Sequence, residues 1–231
     1  MSLKENYTEV KTRIREICER TGRNPYDIHI IAVSKTFPIS KIMELNQLGQ
    51  IDFGENRIRE LRDKYYNIAF QYTGKINWHM VGHLQSRKVK DIVAFINLIH
   101  SVDSLELAEE IDIKAKKINR TVDILIQINS SGEPQKYGLS PDDAKNVCKD
   151  IFKLKNVRMK GLMTMAKLTD NKDEIRGSFK MLKTKFDEMK PEFPDFEHLS
   201  MGMSGDYEIA IEEGSTMVRI GSAIFGERTE E

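Results

Sequence analysis

The sequence predicts an α/β fold with a parallel sheet, because short apolar segments rich in β-branched residues alternate with longer amphipathic segments along the whole chain. Eight segments have the length and composition of strands, and we expect a helix between each successive pair. The predicted strands lie near residues 28–34, 51–53, 77–81, 98–102, 122–129, 157–164, 197–201 and 217–220. Since eight parallel strands close a (β/α)8 TIM barrel, we predict this fold.

The chain begins with an amphipathic segment at residues 4–20, ahead of the first strand. This segment predicts an additional N-terminal helix. Only eleven residues follow the eighth predicted strand, and they are too few for a full closing helix. We therefore expect the N-terminal helix to occupy the place of the missing last helix. No linker, repeat or low-complexity tract divides the sequence, which predicts a single barrel domain over residues 1–231.

The central segments agree with this arrangement. The strand predicted at 122–129 is apolar at nearly every position, as expected when helices cover both faces of a parallel sheet. Ser104 predicts the N-cap of the helix after the fourth strand, and Ser140 with Pro141 predicts the start of the helix after the fifth. A doubly wound open sheet shows the same alternation and stays an alternative. Both arrangements place ligand-binding groups at the carboxyl ends of the strands.

The composition excludes several classes of function. The chain has 36 basic and 36 acidic residues, so it lacks the excess positive charge typical of nucleic-acid binding. No apolar run is long enough to span a membrane. Cys18 and Cys148 lack metal-ligand spacing, as do His79 and His83, which lie in a predicted strand and the following loop. We therefore expect a cytoplasmic protein without a metal site, a nucleic-acid partner or a membrane span.

Lys35 lies where the first apolar strand ends, at the predicted carboxyl edge of the sheet. Removal from bulk water lowers the pKa of a lysine amine, and a neutral amine can form a Schiff base with an aldehyde or ketone. The alternative is a lysine whose stem covers apolar surface while its ammonium reaches water. Lys160 is the natural lysine of a Schiff-base aldolase for sugar phosphates, but the strand residues that follow it place it below the catalytic edge.

Two small-residue turns predict an anion site near the same edge. One follows the seventh strand and contains Met203 and Ser204, and the other follows the eighth strand and contains Gly221 and Ser222. Barrel enzymes frequently bind phosphate in the loops after these two strands. Arg219 lies two residues before Gly221 on an apolar segment, and a buried guanidinium requires a partner. That partner is either a carboxylate of a neighbouring strand or a bound ligand.

Six ordered segments of the chain carry a resemblance to one known family. They are residues 32–35, 53–56, 78–85, 161–166, 199–204 and 218–226. Over essentially its whole length the sequence is similar to the pyridoxal phosphate homeostasis protein family, which is also described as alanine racemase N-terminal domain-like. The resemblance implies a single barrel that holds pyridoxal 5′-phosphate (PLP) as an internal aldimine on Lys35.

The resemblance also implies the remaining cofactor contacts. Arg219 is expected beside the pyridine nitrogen of PLP. Because arginine stays charged and only donates hydrogen bonds, it should hold this nitrogen unprotonated and weaken the ring as an electron sink, which disfavours transamination. Lys35 is the one candidate catalytic residue. The cofactor-binding residues implied by the resemblance are Lys35, Asn56, His83, Met203, Ser204, Arg219, Gly221 and Ser222, with the phosphate near the last two and Ser204.

The implied function is PLP binding in the service of vitamin B6 and amino acid homeostasis, with little or no catalysis by the protein itself. A PLP-dependent amino acid racemase is the alternative, and a Schiff-base aldolase using Lys160 is a third reading. Racemisation needs a second acid/base group, for which Tyr137 and Tyr207 are the candidates, although packing roles are favoured for both. PLP-dependent apo-enzymes are candidate partners, and we expect a monomer or weak homodimer.

Overall fold

The computed structural model describes residues 2–70, 72–130, 133 and 137–227. The eight strands are β1 (His29–Val33), β2 (Asp52–Glu55), β3 (Asn77–Met80), β4 (Leu98–Val102), β5 (Val122–Gln127), β6 (Val157–Met163), β7 (His198–Met203) and β8 (Met217–Ile220). They are parallel and pair in chain order, and β8 pairs with β1 to close the sheet. The eight predicted strands are therefore confirmed, and closure excludes the open-sheet alternative.

The strands form an inner barrel that α-helices surround. In chain order these helices are α1 (Leu3–Thr21), α2 (Ile39–Gln47), α3 (Ile58–Ala69), α4 (Leu105–Lys116), α5 (Ala144–Ile151), α6 (Lys172–Met189), α7 (Tyr207–Glu212) and α8 (Ser222–Phe225). The main hydrophobic core lies between the barrel and this helical layer. The predicted (β/α)8 TIM barrel is confirmed. Among the helices in the described ranges, none is both long and apolar enough to cross a membrane.

The N-terminal helix α1 lies beside the short last helix. It begins with a reciprocal cap, in which Ser2 Oγ accepts the Glu5 N–H at 3.3 Å and the Ser2 N–H donates to the Glu5 carboxylate at 2.7 Å. Asn6 Nδ2 donates to the Ile224 carbonyl of α8 at 3.1 Å. The predicted N-terminal helix is thus confirmed, and it packs against the four-residue α8 where a longer closing helix would lie.

The helix predicted between β3 and β4 is present, but it is a short 3-10 helix and not an α-helix. It spans Ser86–Asp91. Val89 and the following Ile92 are both fully buried, and their three-residue spacing matches the repeat of a 3-10 helix. The Arg120 guanidinium donates to the Val93 carbonyl at 2.6 Å, so a distant side chain occupies an acceptor that an α-helical continuation would use.

The two predicted helix starts after β4 and β5 have different outcomes. Ser104 is the N-cap of α4, and its Oγ accepts the Leu107 N–H at 3.2 Å, as predicted. Ser140 Oγ accepts the Asp143 N–H at 3.1 Å, but α5 begins only at Ala144. The serine therefore stabilises a turn that precedes the helix, and the predicted start is a few residues early.

Strand β6 carries a bulge next to a glycine with unusual geometry. The register between β5 and β6 skips Lys160, which makes it the extra residue of the bulge. Gly161 has φ +144°, and a Cβ built on it would lie 1.9 Å from the His198 carbonyl oxygen on β7. No side chain fits at this position without moving a barrel strand.

Candidate functional site

A cavity of about 510 Å³ opens at the carboxyl ends of the strands. It has apolar walls, to which Val33, Val81 and Met165 contribute. Seven of the residues predicted to bind the cofactor line it, namely Lys35, Asn56, Met203, Ser204, Arg219, Gly221 and Ser222. The structure therefore brings the strand-end lysine, the buried arginine and both small-residue turns to one cavity. Its size falls within the range typical of small-molecule sites.

His83 is the predicted cofactor residue that does not line the cavity. Its ring stacks on Tyr137 with centroids 3.8 Å apart. Its Nδ1 lies 3.3 Å from an Asp103 carboxylate oxygen. These contacts hold the imidazole beside the cavity, apart from the other predicted cofactor residues.

Ser204 joins the turn after β7 to the turn after β8. Its Oγ accepts the backbone N–H of Gly221 at 3.2 Å and that of Ala223 at 3.3 Å. Ser222 lies between Gly221 and Ala223 in the sequence, and it also lines the cavity. The two turns predicted to contact phosphate thus form one hydrogen-bonded unit at the same end of the cavity.

Arg219 is buried, with 4% of its surface exposed. One terminal nitrogen donates to the Ser200 carbonyl at 2.8 Å and to Ser200 Oγ at 2.7 Å, and the other donates to the Thr164 carbonyl at 2.9 Å. In the described ranges its partners are neutral oxygens rather than the carboxylate considered above. Burial lowers the pKa of Arg219 to about 10, against an opposing contribution from Asp206, so the guanidinium remains charged near neutral pH.

A chain of hydrogen-bonded side chains, here called the axial chain, runs from Arg219 through the barrel interior. Ser200 Oγ, which accepts from Arg219, lies 2.8 Å from His100 Nδ1. His100 Nε2 lies 3.0 Å from His79 Nδ1. His79 Nε2 lies 3.1 Å from Asp52 Oδ1. Because Asp52 begins β2, the axial chain crosses the barrel from the carboxyl to the amino ends of the strands.

The two end groups of the axial chain, Arg219 and Asp52, have fixed hydrogen-bonding roles. An arginine only donates, and an ionised carboxylate only accepts. Burial acts to raise the pKa of Asp52, but the hydrogen bond and charge of His79 and a hydrogen bond from Asn77 bring it below its ordinary value. Burial lowers the pKa of His100 far below its ordinary value, which keeps this ring neutral. A neutral His100 ring has one donor and one acceptor nitrogen, so it donates to one of its two neighbours, Ser200 or His79, and accepts from the other.

The buried histidines predict that acid destabilises the fold. Burial lowers the pKa of His198 to about 4 and that of His100 well below its ordinary value, whereas a histidine in an unfolded chain titrates near about 6.5. Their contribution to stability is complete above this pH and is lost as pH falls toward 4, because the unfolded chain then binds protons that the folded chain does not. For His198 the loss is about 3 kcal/mol.

Denaturant unfolding at a series of pH values from 7.5 to 4 measures this loss. The His198→Asn protein serves as the control, because it lacks the proton-binding side chain at this position. We expect its free energy of unfolding to fall less steeply with decreasing pH than that of the parent protein. Parallel pH profiles for the two proteins would contradict the assignment.

The residues of the alternative functions do not reach the cavity. Tyr207 is buried and lines a separate groove beside α1, and burial raises its pKa. Tyr137 is 54% exposed and stacks on His83. Lys160 pairs with Glu197 at 2.8 Å, and Glu197 precedes β7 at the amino end of the barrel.

Sequence reasoning missed the residues that support Arg219. Ser200 is a fully buried polar residue between Leu199 and Met201 in β7, and this exception was a usable signal. Thr164 contributes through its backbone carbonyl, so its residue type carries no signal. His100 lies in the middle of a fully buried strand, where a histidine requires polar partners.

Comparison with known proteins identifies the family. The profile described as alanine racemase, N-terminal domain, matches residues 6–229. A pyridoxal phosphate homeostasis protein of Aquifex aeolicus is 40% identical over 229 residues, which cover 99% of each chain. This identity extends across both ends of the barrel and all the elements that line the cavity.

Two solved structures distinguish similarity in both sequence and fold from similarity in fold alone. PipY of Synechococcus elongatus PCC7942, solved with PLP bound, is 32% identical with a TM-score of 0.81, and the match covers 93% of this chain and 100% of PipY. An alanine racemase of Clostridium difficile is 17% identical with a TM-score of 0.76, and the match covers 99% of this chain but 57% of the racemase. The racemase therefore shares the fold alone. By sequence identity and coverage, the chain belongs to the pyridoxal phosphate homeostasis protein family.

Proposed function

We propose that residues 1–231 form a single domain that binds PLP reversibly through Lys35 and serves vitamin B6 and amino acid homeostasis, with little or no catalysis of its own. The observation that carries this proposal is that one cavity brings together Lys35, Arg219 and the two turns that Ser204 joins. A relative of this chain was solved with PLP bound. The proposal assigns the same ligand to this cavity.

The donor set of the cavity fits the parts of PLP. When bound, PLP supplies an aldehyde that an amine can engage and a ring that withdraws electrons. Lys35 would supply the amine that engages this aldehyde, with release of the aldehyde oxygen as water. Arg219 uses three of its five N–H donors on Ser200 and Thr164, so donors remain for the ring nitrogen. Gly221, Ser222 and Ser204 provide the small polar end for the phosphate.

The same residues support binding over catalysis. Arg219 is charged and only donates, so it holds the ring nitrogen unprotonated and keeps the electron sink weak. No tyrosine, histidine or cysteine of the described residues lines the cavity, and Glu227 lies at its exposed rim. Glu227, an exposed side chain, is therefore the one carboxyl group among the described residues of this lining that could act as the second acid/base group that racemisation requires.

Reversible binding also suits a role as a carrier. We extend the proposal to transfer of PLP to PLP-dependent apo-enzymes in the cytoplasm, by a monomer or weak homodimer. Cys18 and Cys148 are buried thiols without a disulfide, which is compatible with a reducing compartment. Transfer is measurable as recovery of activity when the loaded protein is mixed with an apo-enzyme under dilution that prevents rebinding of released PLP.

Borohydride trapping tests the attachment. After incubation with PLP and reduction, digestion and mass spectrometry should find the pyridoxyl label on the peptide that contains Lys35. Pyridoxine 5′-phosphate has an alcohol in place of the aldehyde, so it should leave no label in a parallel sample. Absence of a label, or a label confined to other lysines, would refute the proposed function.

A further inference from the structure

A charged group, here called the Lys64 cluster, consists of the buried Glu55 and Lys64 and of Glu60, whose side chain is 21% exposed. The side chain of Lys64, on α3, is 8% exposed. Its Nζ donates to a Glu55 carboxylate oxygen, to a Glu60 carboxylate oxygen and to the Ser34 carbonyl, each at 2.7 Å. The three hydrogens of the ammonium group therefore each have an acceptor.

The Lys64 cluster holds the backbone on both sides of Lys35. On one side Glu55, at the end of β2, accepts the Ser34 hydroxyl at 2.7 Å, and Lys64 binds the Ser34 carbonyl. On the other side Glu60 accepts the Thr36 backbone N–H. The residues immediately before and after Lys35 are thus fastened to one charged group.

Thr36 has a strained backbone conformation that the Lys64 cluster helps to hold. Its φ is +70°, in the left-handed region that a β-branched residue rarely adopts. Such a conformation persists only when its surroundings impose it, and the hydrogen bond from Thr36 to Glu60 is one such restraint. Loss of the Glu60 acceptor would let the backbone relax to an ordinary conformation and turn the Lys35 side chain away from its present direction.

A role in barrel stability alone explains the cluster less well. Burying charged groups costs solvation energy, so a buried ion cluster is weak evidence for stability. All three members of the Lys64 cluster make a hydrogen bond to Ser34 or Thr36, the neighbours of Lys35. None of the three lines the cavity. They are placed to orient the lysine and not to touch a ligand.

We propose that Glu55, Glu60 and Lys64 are positioning residues that aim Lys35 for covalent attachment of PLP and thereby set how tightly the protein retains it. This inference rests on the proposed function. Orientation of a reacting amine acts on formation of the covalent bond, and the Lys64 cluster lies outside the cavity lining that would contact the ring and phosphate. The Lys64 cluster should therefore control affinity for PLP but not for an analogue that cannot bond to Lys35.

Binding of two ligands to Glu60 variants separates these effects. Dissociation constants are measured for PLP and for pyridoxine 5′-phosphate, which lacks the aldehyde. We expect Glu60→Ala to weaken PLP binding by about tenfold and to leave pyridoxine phosphate binding within about twofold. Glu60→Gln keeps an oxygen that can accept the Thr36 N–H, so it should recover part of the loss. If Glu60→Ala does not fold, the same two dissociation constants are measured for Glu60→Gln.

Asp63→Ala is the matched control, because Asp63 lies on the same helix with a side chain 52% exposed. It should bind both ligands as the parent does. Equal weakening of both ligands by Glu60→Ala would indicate general damage to the cavity and overturn the inference, as would unchanged PLP binding. If borohydride labels Lys35 in the parent and Glu60→Ala still binds PLP normally, this inference fails alone. If borohydride labels a different lysine in the parent protein, the proposed function fails.

Discussion

The Lys35→Ala protein is expected to lose covalent attachment of PLP completely. No pyridoxyl label should appear on it after borohydride reduction, and its absorbance in the presence of PLP should match that of the free cofactor. The remaining contacts, from Arg219 and from the turns around Ser204 and Gly221, are noncovalent. We therefore expect affinity for PLP to fall by about 100-fold, or about 2.7 kcal/mol, and affinity for pyridoxine 5′-phosphate to stay near that of the parent.

Lys160→Ala provides the control for Lys35→Ala. Lys160 is also a strand lysine, but its ammonium pairs with Glu197 away from the cavity. This protein should take up the label as the parent does. Labelling that survives Lys35→Ala and disappears with Lys160→Ala would transfer the attachment site to β6 and revive the aldolase interpretation.

The Gly161→Ala protein is expected to be severely destabilised. A Cβ at this position would lie 1.9 Å from the His198 carbonyl oxygen, and the residue has a φ of +144°. Because the obstacle is the backbone of β7 and not a flexible side chain, relief requires separation of two paired strands. We expect a loss of at least about 4 kcal/mol in the free energy of unfolding, which is a large part of the total for an ordinary domain. Urea unfolding, or the soluble fraction on expression, measures it.

Gly177→Ala supplies the matched glycine substitution. Gly177 lies within α6, is exposed, and has no atom within 4 Å of the position that a Cβ would take. Alanine is the better helix former, so we expect stability to rise by about 0.5–1 kcal/mol. If both alanine proteins unfold at the same urea concentration, the close approach of β6 and β7 does not limit position 161.

The position of β5 was predictable because a parallel strand covered on both faces is apolar at nearly every position. The crossover from β3 to β4 was not, because buried residues three apart suit both an α-helix and a 3-10 helix. There Arg120, a residue from a later part of the chain, donates to the Val93 carbonyl just after the 3-10 helix. Local sequence patterns do not report such a distant competitor for a backbone acceptor.

The outline of the site was predictable for a related reason. Parallel strands share one carboxyl edge, so Lys35, Arg219 and the turn at Gly221 had to meet wherever the barrel closed. The supporting residues were not predictable. His100 meets Ser200 across 100 residues of chain, and Lys64 finds two of its three acceptors, Ser34 and Glu55, outside its own helix. His83 was assigned by resemblance, and its contacts with Tyr137 and Asp103 depend on loop packing.

The axial chain has a consequence for how the eight strands choose their alignment. A strand that slips by one residue turns every side chain to the opposite face of the sheet. A slip of β3 would carry His79 outward and leave His100 Nε2 buried without its partner, at a cost of about 1–3 kcal/mol. Apolar strands distinguish poorly between neighbouring alignments, since one isoleucine replaces another. The axial chain has members on β2, β3, β4, β7 and β8, so it favours the one alignment of these strands in which all its hydrogen bonds form.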